Sequence, residues 1–429
     1  MTRNWRVDGG GCIDRGKPVS FTFNGRTYPG FEGDTLASAL LANGVRMMGR
    51  SFKYHRPRGI VALGSEEPNA LVRVLDAGGG GQPNGRATTL ALVDGMQARS
   101  QHHWPSLEVD VGVLADAASR FLSAGFYYKT FKWPRRWWPG YEHILRRAAG
   151  LGAPPDRRAL AAPAQRHVHI DVLIAGGGPA GLAAALAAGR AGVRVLLADD
   201  GTRLGGSLID EGEGDVDRPR GRWLAATLAE LRQMGNVSLL ERTVVSAYYD
   251  HDYLTLVQSP GPGRGGQAAG AGTFWKVRAE RVVLATGAIE RPLVFAGNDR
   301  PGVMLAGAVI GYLHRYGVLC GRDIVLCTDN DSVYGMVPAL QQAGATICAV
   351  LDLRTGLSPA AAAAKSAGLV VATQARIVGT EGRAQIRAVR WARDDGVVVR
   401  TECDLLATAG GWTPRVHLHS QARGTLRYA

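Results

Sequence analysis

Three observations in the 429-residue sequence predict an α/β fold. An apolar strand, His169–Ala175, runs straight into the glycine turn Gly176-Gly177-Gly178-Pro179-Ala180-Gly181. From His167 onward strand-like runs alternate with helical segments, the pattern of a parallel sheet with helices on its faces. Near the start, Asn24-Gly25 separates two strand-like runs as a tight hairpin turn.

The glycine turn is the element with chemical content. Gly176, Gly178 and Gly181 fit the GxGxxG spacing: the first makes a tight turn, the second lets backbone approach a pyrophosphate, and the third lets the helix pack on its strand. The alanine-rich helix that follows, to about Gly189, directs free N–H groups and a partial positive charge at phosphates. A second strand, Val193–Ala198, ends about twenty residues on at Asp199-Asp200, where a carboxylate accepts ribose hydroxyls. Acids at that point disfavour a 2′-phosphate, so the expected ligand is NAD or FAD rather than NADP.

Leu204-Gly205-Gly206-Ser207 is a second glycine turn able to approach the cofactor, and Val282–Leu284 leads into Ala285-Thr286-Gly287, a strand end returning to it. The expected cofactor contacts are Gly176, Gly178, Pro179, Ala180, Gly181, Asp199, Asp200, Gly205, Gly206, Ser207, Val244, Val245, Thr286 and Gly287. The unit resembles the two-dinucleotide-domain flavoproteins of glutathione reductase type, a Rossmann-like fold. A second copy of the plan is degraded: the strand Asp323–Cys327 leads into Thr328-Asp329-Asn330-Asp331-Ser332, with two acids where phosphates need donors. No second dinucleotide is expected there. Leu405–Ala407, followed by Thr408-Ala409-Gly410-Gly411, echoes the first strand end.

Three regions follow. Residues 1–110 open with the hairpin Pro18–Phe23 and Arg26–Tyr28, then a helix with Asp34 as N-cap, one apolar face of Leu36, Ala39, Leu40 and Ala42, and Gly44 as its stop. Hairpin plus helix resembles a β-grasp, ferredoxin-like domain. Residues 111–166 form a basic, proline-bearing connector in which Trp133, Trp137, Trp138 and Tyr141 interleave with Lys and Arg; no nucleic-acid signature flanks it, and it reads as a subunit or interdomain contact, or a solvated linker with buried tryptophans. Residues 167–429 are the dinucleotide region, with strands expected at Asp171–Ala175, Arg194–Ala198, Arg281–Ala285, Ile324–Cys327, Thr346–Val350 and Leu405–Ala407.

Composition narrows the setting. A charged share of 20% beside an apolar share of 46% allows a sizeable core. The net charge of +13 suits anionic cofactors or acidic partner proteins. Some of the 58 glycines fall in flexible stretches, Gly78–Gly81 and Gly261–Gly272. Cys12, Cys320, Cys327, Cys348 and Cys403 form no CxxC pair, and their odd number fits a reduced, cytoplasmic setting. Neither a signal peptide nor an apolar run of about 18 residues is present, so no membrane association is expected.

No residue earns a catalytic role. Cys320 and Cys327 lack a redox-motif spacing and read as buried structural thiols. His102-His103 and the His167/His169 pair lack helical ligand spacing and clustered acids or thiols, so no metal site is expected. His55, among Lys53, Arg56 and Arg58, reads as surface basicity at a protein contact or as a partner for a flavin phosphate.

Three separated motifs, Arg50–Ile60 (RSFKYHRPRGI) with Glu66-Glu67-Pro68-Asn69-Ala70, residues 176–192 (GGGPAGLAAALAAGRAG) and residues 417–424 (HLHSQARG), closely resemble the α subunits of heterotetrameric sarcosine oxidases. That resemblance implies NAD bound in this chain, FMN at the boundary with a β subunit, FAD within β, and γ and δ partners. It implies an oxidoreductase that converts sarcosine to glycine with hydrogen peroxide and formaldehyde or 5,10-methylenetetrahydrofolate; this chain alone is not expected to be competent. Related subunits of opine oxidases, cyanide synthases and amino-acid dehydrogenase complexes carry cysteines for an iron–sulfur cluster in this N-terminal domain. No cysteine lies between Cys12 and Cys320, so a cluster-free domain is expected. With the chain ending at Ala429, a folate-binding domain and the closing part of the dinucleotide domain are expected to be missing. The alternatives are an FAD-binding subunit of a related amine, opine or amino-acid dehydrogenase complex, a self-sufficient FAD oxidoreductase, and a scaffold with an empty loop.

Overall fold

The computed structural model describes residues 4–75, 81–117, 119, 133–148, 162–210, 212, 218–261, 272–393 and 395–428. Most of the two glycine stretches and much of the basic connector lie outside these residues.

Strands β1 (Asp14–Phe23) and β2 (Arg26–Glu32) pair around Asn24 and Gly25, whose φ values of 52° and 79° are the positive ones that the tight turn demands. Helix α1 (Leu36–Ala42) begins one residue later than expected. Thr35, not Asp34, is the N-cap: its hydroxyl accepts from the Ser38 N–H and the Ser38 hydroxyl accepts from the Thr35 N–H, a reciprocal pair that stabilises a helix start by about 1 kcal/mol. Asp34 is occupied elsewhere, accepting from the Arg6 guanidinium, the Phe31 N–H and the Ser38 hydroxyl. Nor does α1 bury one face alone. Every residue from Leu36 to Ala42 is buried, within an apolar cluster that runs from Phe21 and Phe23 to Tyr312, Val318 and Ile324.

Strands β3 (Leu71–Leu75), β4 (Gly81–Arg86) and β5 (Gln97–Ser100) complete a sheet of order β2-β1-β5-β3-β4, with β1 and β5 parallel at its centre. This is the expected β-grasp. The loop before β3 is closed by a carboxylate: Glu67, fully buried, accepts from the N–H groups of Val61 and Ala62 at 2.7 and 2.8 Å and from those of Asn69 and Ala70 at 2.7 and 3.1 Å. Burial pushes its carboxyl up, against four donors that favour the anion.

In the connector, helix α2 (Trp138–Ala148) follows a single 3₁₀ turn. The expectation of buried tryptophans is overturned here. Trp133 is 82% exposed and Trp137 55%.

The dinucleotide region contributes two units. In the first, β6 (Ala164–Ala175), α3 (Pro179–Arg190), β7 (Val195–Ala198), α4 (Pro219–Gln233), β8 (Val237–Leu240), β9 (Thr243–Tyr249), β10 (Tyr253–Gln258) and β11 (Thr273–Leu284) build a six-stranded sheet of order β8-β7-β6-β11-β10-β9. Its four central and flanking strands β8, β7, β6 and β11 are parallel, and β9–β10 is a hairpin added at one edge. Strand β6 starts before the boundary expected at His167, because its early residues, though exposed, pair with β11 from Thr273 onward.

In the second unit, β12 (Ala288–Glu290), β13 (Val303–Leu305), α5 (Ala306–Tyr316), β14 (Asp323–Thr328), α6 (Ser332–Gln342), β15 (Thr346–Asp352) and β16 (Val371–Ala372) precede an antiparallel trio, β17 (Arg376–Glu381), β18 (Ala388–Ala392) and β19 (Val398–Glu402). Then β20 (Leu405–Ala409), β21 (Trp412–Pro414) and α7 (His417–Gln421) end the chain's described structure. The parallel sheet has order β13-β20-β14-β15-β16. The β-grasp domain docks on this unit through backbone as well as apolar contact: Val7 N–H donates to Gly317, Leu319 N–H to Trp5, and Leu305 N–H to Val61. No described helix is long and apolar enough to cross a membrane.

The Glu67 nest yields a test of stability. Glu67→Gln retains one acceptor oxygen and sets an NH₂ group against the other pair of buried N–H donors, each costing about 1–3 kcal/mol when left unpaired. The midpoint of thermal unfolding should fall clearly below wild type, and Glu67→Ala should fall further; an unchanged midpoint for both would show that the nest is solvated.

Candidate dinucleotide-binding site

Sheet register sets three strand ends side by side. Ala175 is opposite Ala198 of β7 on one side and Leu284 of β11 on the other. One residue on, the Gly176 N–H donates to the Ala198 carbonyl and the Ala285 N–H to the Ala175 carbonyl, both at 2.8 Å. Gly176 has φ of 109°, and a Cβ there would lie 2.2 Å from the Ala285 oxygen, so only glycine fits.

Gly178 is the converse case. It is the N-cap of α3, with extended backbone, no side-chain cap, and no protein atom within 4 Å of where a Cβ would stand. The first turn of α3 therefore opens on free space, a cleft of about 2860 Å³. Of the expected contacts, Gly176, Gly178, Pro179, Ala180, Asp199, Asp200, Gly206, Ser207, Val244, Val245, Thr286 and Gly287 line it. Gly181 and Gly205 lie behind the wall instead. A Cβ on Gly181 would come within 1.8 Å of the Gly176 oxygen, and one on Gly205 within 2.9 Å of Ile209 and Leu224, so both serve packing.

The two acids divide their work. Asp199 is half-buried and braces the loop: Oδ2 accepts from Gly177 N–H at 2.6 Å and Oδ1 from Gly201 N–H at 2.8 Å. Burial pushes its carboxyl up, and the two N–H donors oppose that shift. Asp200 is exposed and accepts from the Ser65 hydroxyl at 2.8 Å. The Thr286 hydroxyl donates to the Arg415 carbonyl at 2.9 Å, and the Arg415 N–H donates to Gly287, so the first Ala-Thr-Gly turn is held by the segment after the second.

The β-grasp domain supplies a wall that sequence reasoning missed. Ser65 and Glu66 line the cleft, Ser65 bonded to Asp200 and Glu66 paired with Arg415. No local pattern announces contacts made across such sequence separations. Glu290 was also missed as a site residue. It ends β12, is 6% exposed, lines the cleft, and accepts from the Gly307 N–H at 2.8 Å. Burial pushes its carboxyl up to about 7. An acid just past a strand-end turn, among apolar residues, was the available signal.

Elsewhere the second copy has filled its own turn. Asp331 pairs with Arg354 at 2.6 Å and accepts from Ser358, and Arg354 also grips Asp352, so acids and their cation gather beside the α6 N-terminus. His55 is buried, its Nδ1 2.7 Å from Asp110 beside Arg50. That overturns surface basicity, because the ring is turned inward and committed to a carboxylate. Cys320 and Cys327 are buried free thiols, both pushed up by burial, Cys320 to about 12, which keeps them protonated and unreactive. Among the described residues no group of three His, Cys, Asp or Glu side chains converges for a metal.

Glu290 imposes a pH dependence with a defined sign. Its folded value near 7 lies above the unfolded carboxylate value of about 4.3, so between the two the folded protein holds a proton that the unfolded chain has released. The associated stability is complete below about pH 4 and is lost as pH rises through 7. The stability of wild type relative to Glu290→Gln should fall by about 2 kcal/mol between about pH 5 and pH 7 in urea unfolding; a difference independent of pH is the contrary result.

Comparison with known proteins agrees with this architecture. A family model described as "2Fe-2S iron-sulfur cluster binding domain" matches residues 16–103, a stretch without cysteine, and one described as "FAD dependent oxidoreductase" matches residues 171–252. The chain is similar to the sarcosine oxidase subunit alpha of Rhizobium meliloti (strain 1021), 46% identical over 97% of this chain and 42% of that one. It is also similar to the subunit alpha of Corynebacterium sp. (strain P-1), 40% identical over 96% of this chain and 39% of that one. It thus spans well under half the length of these relatives. In fold it is similar to L-proline dehydrogenase from P. horikoshii, 21% identical with a TM-score of 0.64, covering 100% of this chain and 66% of that one. Over the portion of those relatives that it spans, the chain is homologous to sarcosine oxidase α subunits.

Proposed function

We propose that this chain is the dinucleotide-binding part of the α subunit of a sarcosine-oxidising oxidoreductase, and that NAD sits in the cleft at the end of α3. The observation that carries this reading is Gly178, an N-cap with no side chain and open space before it, at the mouth of a cleft large enough for a dinucleotide. Residues Gly176 to Ala180 would hold the pyrophosphate through backbone N–H groups. Asp199 or Asp200 would accept from the adenosine ribose, and Gly206, Ser207, Val244, Val245, Thr286 and Gly287 would line the rest. A nicotinamide or flavin supplies hydride chemistry when bound; the residues here orient it and exclude water. FAD in the same cleft is the second reading, favoured by the family model matched over residues 171–252.

The family likeness extends the proposal to the assembly: β, γ and δ partners, FAD in β, FMN at the boundary with β, and products glycine, hydrogen peroxide and formaldehyde or 5,10-methylenetetrahydrofolate. Five free cysteines suit a cytoplasmic setting. The exposed tryptophans about α2 offer a surface for one of those partners.

Mass spectrometry of nucleotides released from the purified chain tests the central point. NAD is expected, without the absorbance near about 450 nm that flavin brings. Gly178→Ala, whose Cβ meets no protein atom within 4 Å, should keep wild-type thermal stability and lose most of the retained nucleotide. A chain that releases no dinucleotide and binds none when NAD or FAD is added would overturn the reading.

A further inference from the structure

Glu290 is the one buried carboxylate on the cleft wall whose hydrogen-bonding capacity is half used among the described residues. Its Oε2 accepts from the N–H of Gly307, the second residue of α5, while Oε1 is buried with no partner. No described cation pairs with it. Buried carboxylate oxygens are expensive to leave unmatched, and Glu290 is a lining residue of the cleft, so its unmatched oxygen points to a donor on the ligand.

The surroundings are built for close approach. Strand β12 is held by β21, with Glu290 opposite Trp412. Gly307 is small where a Cβ would come within 2.7 Å of Glu290 and 3.4 Å of the Trp412 ring. Trp412 itself is half exposed on the same wall, a flat apolar face beside a lone acceptor. On the first unit, Gly178 and Asp199 are suited to phosphate and ribose, neither of which needs a buried acceptor flanked by an aromatic. A planar ring bearing an N–H next to a carbonyl does.

We propose that Glu290 Oε1 accepts a hydrogen bond from the amide or imide N–H of the redox ring of the bound dinucleotide, the carboxamide of a nicotinamide or the imide of a flavin. This rests on the dinucleotide reading of the cleft and gives the second unit a ligand contact beside those proposed for the first. Glu290 is thereby a ring-positioning residue, and the pyrophosphate end is independent of it. Burial that keeps the carboxyl near neutrality fits a group that is solvated by neither water nor a cation.

Isothermal titration of the full chain, stripped of retained nucleotide, separates the two ends by using NAD, FAD and ADP-ribose as probes. ADP-ribose keeps adenosine and pyrophosphate and lacks the ring. Titrated above about pH 7, where the carboxyl is ionised, Glu290→Gln has a single carbonyl oxygen for Gly307 or the ligand, so affinity for whichever dinucleotide wild type binds should fall about tenfold or more, as for loss of a charge-assisted bond. ADP-ribose affinity should stay within about twofold, and Glu290→Ala should behave alike provided its melting curve shows α5 intact. Equal losses on ADP-ribose and dinucleotide, or no loss on either, would overturn the role of Glu290 while leaving the glycine-loop site standing. Wild-type chain that binds none of the three probes removes that site, and this role with it.

Discussion

The contact between Gly176 and Ala285 governs the geometry of everything around the cleft. Two parallel strands separated in sequence by a whole sheet end in register, and the backbone of one turn passes so close to the carbonyl of the other that no side chain fits between them. Because β6 and β11 are locked in this way, the α3 N-terminus and the Ala-Thr-Gly turn share one edge of the sheet. Asp199 joins them through β7, and its carboxylate ties the glycine loop to the following turn. A parallel sheet gathers strand C-termini on one side, and this is where ligands bind in such folds. The cleft is a consequence of register before it is a consequence of any particular side chain.

The N-terminal domain shows the same economy turned to a different end. Its fold and its family match belong to domains that hold an iron–sulfur cluster, yet residues 16–103 contain no thiol. The loop instead closes on polar side chains. Glu67 gathers four backbone N–H groups, and Arg50 and His55 close on the buried Asp110 carboxylate. Buried N–H groups require an acceptor. With that acceptor internal, the domain is free to act as a wall, and Ser65 and Glu66 at the tip of the same loop reach Asp200 and Arg415 across the cleft.

What the sequence made legible was local. The hairpin at Asn24-Gly25, the glycine loop, its acid and the Ala-Thr-Gly strand end each combine a turn chemistry with an adjacent apolar run, and all were found where expected. Errors arose where tertiary context outweighed pattern. Asp34 has the residue type of a cap, but Arg6, Phe31 and Ser38 saturate it, leaving Thr35 to cap α1. The tryptophans at 133 and 137 have the residue type of a core and face solvent. His55 sits in a basic run and is turned inward by Asp110. For Asp34 and His55 the deciding partners Arg6 and Asp110 lie outside the window in which the motif was read, while Ser38 and Phe31 compete inside it.

The same distinction explains why the missed residues share a common position. Ser65, Glu66, Glu290 and Arg415 come from three parts of the chain and meet only at the cleft. Each does so because an apolar cluster shared by the β-grasp sheet, α1 and the second unit brings their loops together, and burial of side chains such as Tyr312 and Leu40 is worth about 1.5–3 kcal/mol apiece. Hydrophobic packing of this kind is nondirectional, so it leaves no spacing rule in the sequence; the polar bridges across the cleft are then selected by proximity. It follows that the dinucleotide unit does not own its site. Its floor is set by the register of β6, β7 and β11, but two of its walls are held in place by a core to which that sheet contributes nothing, and the affinity of the cleft is therefore tied to the integrity of the β-grasp domain packed against the second unit.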